Sequence, residues 1–249
     1  MILDVTNRCQ MGCSHCMMNS TMRGEHMSMS ILGKAFDFIK KVNPTVLLLS
    51  VGEPTLHPNI LDIIEYALLV LKNPKKITLL SNGLFFEENQ ELAEKILSKG
   101  IYIQVTNDKR FYPRDVKVPT HKNVYLENTL RVVDSFGRAK SNNLKEIDTL
   151  FQRKAPHCFN AVSVAKSGHA KNLIEINSIL EQYQKFCSLR IDVNGDIGIG
   201  ELNECLTIGN VSIDDEHTSF NKLKNINIIN CNKCGLIDRL SSTALNAIK

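Results

Sequence analysis

From residue 1 to about residue 130 the chain alternates short, β-rich apolar runs with stretches in which apolar residues recur at helical spacing. Strands are predicted near Ile2 to Thr6, Thr45 to Val51, Lys76 to Ser81, Ile101 to Thr106 and Asn123 to Leu126. Between them, Ile31, Leu32, Ala35, Phe36, Ile39 and Val42 share one helical face, as do Ile60, Leu61, Ile63, Ile64, Ala67, Leu68 and Leu71. The helix holding Leu92, Ile96 and Leu97 stops at Gly100, the residue type expected just past a helix end. Strands and helices of these lengths in alternation form βαβ units, the pattern of a parallel α/β sheet or barrel.

From about residue 186 the character changes. Leu189-Arg-Ile-Asp-Val, Asn194-Gly195 and Asp196-Ile-Gly-Ile-Gly200 predict a β-hairpin with Asn-Gly as a two-residue turn. The spacing of Gly195, Gly198 and Gly200 does not match a dinucleotide-binding loop, and no helix opens after it. A further helix is predicted from about Leu236. The expected division is a barrel-sized unit over residues 1–185 and a small hairpin-and-helix unit over residues 186–249.

Composition narrows the class. The 249 residues are 43% hydrophobic and 22% charged, as in an ordinary globular protein. No apolar stretch approaches the roughly 18 to 20 residues of a membrane span, and the N-terminus has no charged-then-apolar signal segment, so a cytoplasmic location is expected. In that compartment eight cysteines favour metal binding over disulfides. The net charge of +4 is spread in short pairs such as Lys40-Lys41 and Lys75-Lys76, as on a solvated surface rather than a nucleic-acid footprint.

The polar motifs of the first half all fall just past the C-terminal ends of predicted strands, the rim where parallel barrels build chemistry. Cys9, Cys13 and Cys16, spaced C-x3-C-x2-C, follow the first; Gly52-Glu53-Pro54 the second; Ser81-Asn82-Gly83 the third; Thr106-Asn107-Asp108 the fourth. Thiolates are soft ligands that select iron–sulfur clusters, zinc or Cu(I). A [4Fe–4S] cube usually takes four cysteines, so three on one loop would leave an iron open to a ligand that is not protein. A zinc knuckle or reduced structural thiols are the alternatives, although tetrahedral zinc wants four ligands. The other motifs are also ordinary turn formers, and Arg110, Tyr112 and Arg114 in the following loop are given no role.

The triplet with its ordered strand-end motifs resembles the radical S-adenosylmethionine (radical SAM) superfamily. The resemblance implies a partial (β/α)6, TIM-like barrel. It also implies a [4Fe–4S] cluster at Cys9, Cys13 and Cys16 whose open iron chelates SAM, and reductive cleavage of SAM to a 5′-deoxyadenosyl radical. Gly52-Glu53-Pro54 is similar to the family's GGE motif, with Val51 in place of the first glycine, and is expected at the amino group of SAM. Ser81 and Asn82 match a TNG-like element, Thr106 the fourth-strand position near the ribose or methionine carboxylate, and His15 the position near adenine.

Cys187, the hairpin, Cys205, Leu206-Thr-Ile-Gly-Asn-Val211 and Cys231-x2-Cys234 resemble a shortened SPASM, or twitch, domain. That resemblance implies an auxiliary [4Fe–4S] cluster at Cys187, Cys205, Cys231 and Cys234. A zinc site at the same four cysteines is the alternative, and Gly200 stands where the family commonly has a cysteine. Cys158 is left over as a structural thiol. With the first strand starting at residue 2, no N-terminal leader-binding module is expected. The implied activity is maturation of a peptide or protein side chain, fed by an external one-electron donor such as flavodoxin or ferredoxin. A nucleoside, sugar or other small metabolite as substrate, or a non-catalytic Fe–S or zinc protein, are the alternatives.

Overall fold

The computed structural model describes residues 1–44, 46–128, 137–144, 189–199 and 206–224. It contains one eight-stranded sheet, ordered β5-β4-β3-β2-β1-β6-β7-β8. The strands are β1 (Ile2–Asp4), β2 (Leu47–Ser50), β3 (Ile77–Ser81), β4 (Tyr102–Thr106), β5 (Val124–Glu127), β6 (Leu189–Ile191), β7 (Asp196–Ile199) and β8 (Leu206–Asn210). β1 to β6 pair in parallel, and β7 and β8 continue antiparallel. The sheet is mixed and mostly parallel, as the alternating pattern predicts, and each of the first five strands lies within one or two residues of its expected span.

Helices α1 (Met29–Val42), α2 (Ile60–Leu71), α3 (Phe85–Glu88) and α4 (Gln90–Ser98) fill the crossovers. α1 starts where Ser28 Oγ accepts from Ile31 N, and ends on Asn43 in the left-handed conformation after two lysines that suit the helix dipole. Gly100 follows α4 at φ +73°, as its sequence position implies. Two further helices, α5 (Gly137–Ser141) and α6 (Glu216–Lys224), and two 3-10 turns, Pro54–Leu56 and Pro74–Lys76, complete the described elements.

Strand alternation separates two faces. Leu3, Leu47, Leu49, Ile77, Leu79, Ile103 and Val105 are fully buried in one core with Phe38 and Ile39 of α1, Ile63 and Ile64 of α2 and Ile96 of α4. Each such side chain contributes roughly 1.5–3 kcal/mol when removed from water. The other face is the lumen, and register stacks it in layers: Ile2, Leu48, Thr78 and Tyr102, with Arg190 opposite Ile2, and above them Asp4, Ser50, Leu80 and Gln104. The strand ends above these layers carry the site.

The C-terminal hairpin forms, and β6 pairs with β1, so that the hairpin continues the same sheet. Its turn differs from expectation, being longer than a two-residue Asn-Gly loop. Asp192 N donates to Asp196 O and encloses Val193, Asn194 and Gly195, with Gly195 left-handed at φ +88°. The boundary near residue 186, Gly200, Cys158 and the helix from Leu236 lie outside the described residues.

Candidate active site at the cysteine loop

β1 delivers the chain into the cysteine loop, which is closed on itself before it closes on anything else. Asn7 N donates to Glu25 O at 2.9 Å and Cys9 N to Thr21 O at 3.1 Å. Gly12, at φ +70°, turns the loop between Cys9 and Cys13. Three neighbouring segments then brace it.

The first brace comes from β2. Gly52 is left-handed at φ +59°, and a Cβ there would lie 2.2 Å from the carbonyl oxygen of Arg8. Glu53 N donates to that same oxygen at 2.7 Å. Gly52 is therefore needed for close approach to the cysteine loop, which is a requirement of the protein itself. Glu53 is fully buried, and its carboxylate accepts from Thr55 Oγ1 at 2.7 Å, Ser81 Oγ at 2.9 and 3.0 Å, Asn82 N at 2.7 Å and Thr55 N at 3.3 Å. Burial pushes its pKa up against these bonds. Glu53 thus clamps the ends of β2 and β3 together, and neither it nor buried Pro54 lines the cavity described below. Asn82 reaches onward: its Nδ2 donates to Cys9 Sγ at 3.7 Å and to Gln10 Oε1 at 3.3 Å.

The second brace, residues 107–112 after β4, went unassigned in the sequence. Ser14 N and Oγ donate to Phe111 O at 3.0 and 3.3 Å, and the His15 ring lies 5.1 Å from that of Phe111 and 5.3 Å from that of Tyr112. Arg110 pairs with Asp108 inside this segment, and Arg114 pairs with Glu88. The third brace is α5. Arg138 N donates to Cys16 O at 2.9 Å, Arg138 Nη2 to Ser20 O at 2.8 Å and Asn142 Nδ2 to Ser14 O at 2.9 Å. Gly137, at φ +49°, lies so close that a Cβ would meet Met17 O at 2.2 Å.

Together the strand ends and these loops enclose a cavity of about 400 Å3. Cys9, Cys13 and Cys16 all line it, and so do His15, Gly52, Ser81, Asn82 and Thr106, joined by Val51 and Tyr112. Five of the seven residues expected at SAM therefore converge with the three thiols; Glu53 and Pro54 stand behind them. Burial pushes the Cys13 thiol up to about 12 and raises that of Cys9, while His15 is lowered to about 4 and is neutral at pH 7. Apolar thiols of this kind are held as thiolates only when metal charge replaces the proton.

The donor set fits a cluster. Three soft ligands on one braced loop face a cavity of ligand size, with a hydrogen-bond donor already on Cys9 and, from Ser20 N at 3.4 Å, on Cys16. Among the described residues no three His, Cys, Asp or Glu side chains converge tightly enough to hold a single ion. Cys187, Cys205, Cys231 and Cys234 lie outside the described residues.

A parallel α/β barrel with a thiol-lined cavity at its strand ends defines a class of metal-cluster protein. The chain belongs to the radical SAM superfamily, whose model matches residues 3–150. Members of this superfamily are enzymes, and the family implies a [4Fe–4S] cluster and SAM. No curated protein sequence matches significantly. Among solved structures, BtrN in complex with AdoMet and 2-DOIA is similar at 14% identity and TM-score 0.51, over 90% of this chain and 85% of that one. Native anSMEcpe with bound AdoMet is similar at 12% identity and TM-score 0.51, over 92% and 81%. The complex of anSMEcpe with AdoMet and the Cp18Cys peptide gives 14% identity and the same TM-score, over 92% and 80%. These likenesses are of fold. No helix among the described residues is long and apolar enough to cross a membrane.

Proposed function

We propose that this chain is a radical SAM enzyme that acts on a peptide or protein side chain. The observation that carries the reading is the convergence of Cys9, Cys13 and Cys16 with His15, Gly52, Ser81, Asn82 and Thr106 on one cavity. When bound, the cluster and SAM supply one electron and a 5′-deoxyadenosyl radical able to take a hydrogen atom from an unactivated C–H bond. The chain's own residues do the rest. The three thiolates hold the cluster. Ser81, Asn82 and Gly52, fixed behind by Glu53, present polar groups and open backbone to the methionine end of SAM, and Thr106 offers its hydroxyl from β4. Neutral His15, packed on Phe111 and Tyr112, offers a flat apolar wall for adenine. The braced loop keeps water from the reacting carbon and fixes its distance.

Cys187, Cys205, Cys231 and Cys234 are assigned to an auxiliary [4Fe–4S] cluster, supported by their spacing around the hairpin and the closing C-x2-C. The peptide assignment rests on that twitch-like spacing. An external flavodoxin or ferredoxin is the proposed electron donor.

The test is anaerobic reconstitution followed by assay. The wild type is expected to hold about four iron atoms per cluster and to form 5′-deoxyadenosine from SAM. The Cys9/Cys13/Cys16 triple Ala variant should form none, and continued formation there would sink the site assignment. About four residual irons in that variant support the auxiliary cluster, and about one zinc replaces it with a structural site. Mass spectrometry after incubation with candidate peptides should show a mass change on a side chain. A change confined to small metabolites would transfer the enzyme to the other substrate class.

A further inference from the structure

Two of the three cysteine sulfurs already have a hydrogen-bond donor from the protein. Cys9 Sγ accepts from Asn82 Nδ2 and Cys16 Sγ from Ser20 N. No other residue among those described donates to Cys13 Sγ, although Cys13 is the most buried of the three at 8% exposed. Beside it stands a donor with no acceptor. Tyr112 lines the same cavity, packs in one group with Met11, Cys13, Leu84 and Val116, and its hydroxyl makes no hydrogen bond among the described residues.

The position of Tyr112 is fixed relative to the thiols. Its backbone N donates to Asp108 O at 3.0 Å, the preceding carbonyl of Phe111 accepts twice from Ser14, and its ring touches His15 between Cys13 and Cys16. Ser14 and His15 belong to the cysteine loop itself, so these contacts tie the phenol's segment to the loop. Tyr112 is half-buried, and its hydroxyl is free to take a partner when the cavity it lines is filled.

We propose that the Tyr112 hydroxyl donates a hydrogen bond to the Cys13 side of the cluster and thereby raises its reduction potential; this rests on the cluster assignment made above. Reduction adds one negative charge to the cluster, and an O–H donor stabilises the more negative form more strongly. Hydrogen bonds to the sulfurs are among the levers by which a protein sets such potentials. Phenol is a donor in its neutral form, and the ring that carries it also shields the cluster from water. Tyr112 is thus a positioning and tuning residue for electron entry. It would complete a set in which each thiolate has at least one donor from another residue, those of Asn82, Ser20 and Tyr112 coming from three different segments of the chain.

The experiment compares reconstituted wild type with Tyr112→Phe, which keeps the ring and removes only the hydroxyl. Iron content is measured first, then the midpoint potential by anaerobic titration followed by electron paramagnetic resonance. Tyr112→Phe should retain the wild-type iron content. Its potential should be more negative, so that the reduced-to-oxidised ratio at a fixed poise falls several-fold; tenfold corresponds to about 59 mV for one electron. In deuterated buffer, the reduced wild-type cluster should show one exchangeable deuteron coupling that Tyr112→Phe lacks, while the couplings from Asn82 Nδ2 and Ser20 N remain in both, a difference that a merely structural role would not produce. An unchanged potential, a deuteron spectrum identical to that of the wild type, or loss of iron from a folded variant each overturns the tuning role. A wild type that takes up no iron falls instead on the cluster assignment, since it leaves Tyr112 without a group to tune.

Discussion

The mouth of the barrel between β2 and β3 and the seam between β1 and β6 each bury a carboxylate, and they satisfy it differently. Glu53 accepts from two hydroxyls and two backbone N–H groups, all neutral. Asp4, 1% exposed, meets the guanidinium of Arg190, 2% exposed, with Arg190 Nε at 2.6 Å from Asp4 Oδ2, while Asp4 Oδ1 has no partner among the described residues. Arg190 also reaches Met18 Sδ at 3.6 Å, so the seam touches the cysteine loop from below. The difference lies in replaceability. An ion pair of two side chains can be exchanged for two apolar side chains. The backbone donors on Glu53 stay in place whatever side chain stands at 55 or 82, proline excepted, so its site has no simple apolar equivalent.

The largest expected effect is therefore at Glu53. Glu53→Ala leaves Asn82 N and Thr55 N buried without an acceptor and frees two hydroxyls; at about 1–3 kcal/mol for each stranded group, a loss of about 4 kcal/mol or more is expected in urea unfolding. Because Asn82 also donates to Cys9, the variant should retain less iron as well. A variant with wild-type stability and iron content would mean that Glu53 does not couple the strand ends to the cluster loop.

The seam should behave otherwise. Arg190→Met alone strands Asp4 and should cost about 3 kcal/mol, whereas the Asp4→Leu/Arg190→Met pair should lie within about 1 kcal/mol of wild type. The pH dependence sharpens this. Burial outweighs Arg190 and raises Asp4 from 3.8 to about 7. With the folded value above the unfolded one, its contribution to stability is complete below about pH 4 and is lost as pH rises through about 7. Removing Arg190 raises the folded value further, so the deficit of Arg190→Met should be larger at pH 8 than at pH 5. The double variant should lose this part of the pH dependence. Urea midpoints at the two pH values check both, and equal deficits for the single and double variants would refute the exchangeable-pair reading.

How much of this was legible in the sequence follows the same divide. Strands and helices of the first half could be read because their periods are local, and the cysteine triplet because its spacing is local too. The pairing of β6 with β1 could not, since it joins residues 188 positions apart and period says nothing of which strand is the neighbour. The two charges inside otherwise apolar strands, Asp4 and Arg190, were the available hint: such residues stay buried only when paired. Glu53 was legible as a motif but not in its role. A sequence places it beside the ligand, and only the geometry shows its side chain turned back onto Ser81 and Asn82. Tyr112 and Gly137 act through contacts with a loop some hundred residues earlier, and no local pattern announces them.

The smallest expected effect tests whether the mouth stores strain. Val51 is left-handed at φ +69°, where a β-branched side chain crowds its own backbone; for ordinary L-residues that conformation costs about 1–2 kcal/mol. It stands where the family motif has glycine, which adopts the same φ freely. Val51→Gly should relieve the strain and give back part of the gain as unfolded-chain entropy. The net stabilisation should be about 1 kcal/mol, a rise of about 2–4 °C in Tm for a chain of this size. Val51 also lines the cavity proposed for SAM, so calorimetric SAM affinity of the reconstituted protein is the second readout. Higher Tm with unchanged affinity means that valine is a strained stand-in for glycine. Lower Tm would show instead that its methyl groups, packed at the mouth, outweigh the backbone cost, and the strain argument would be abandoned.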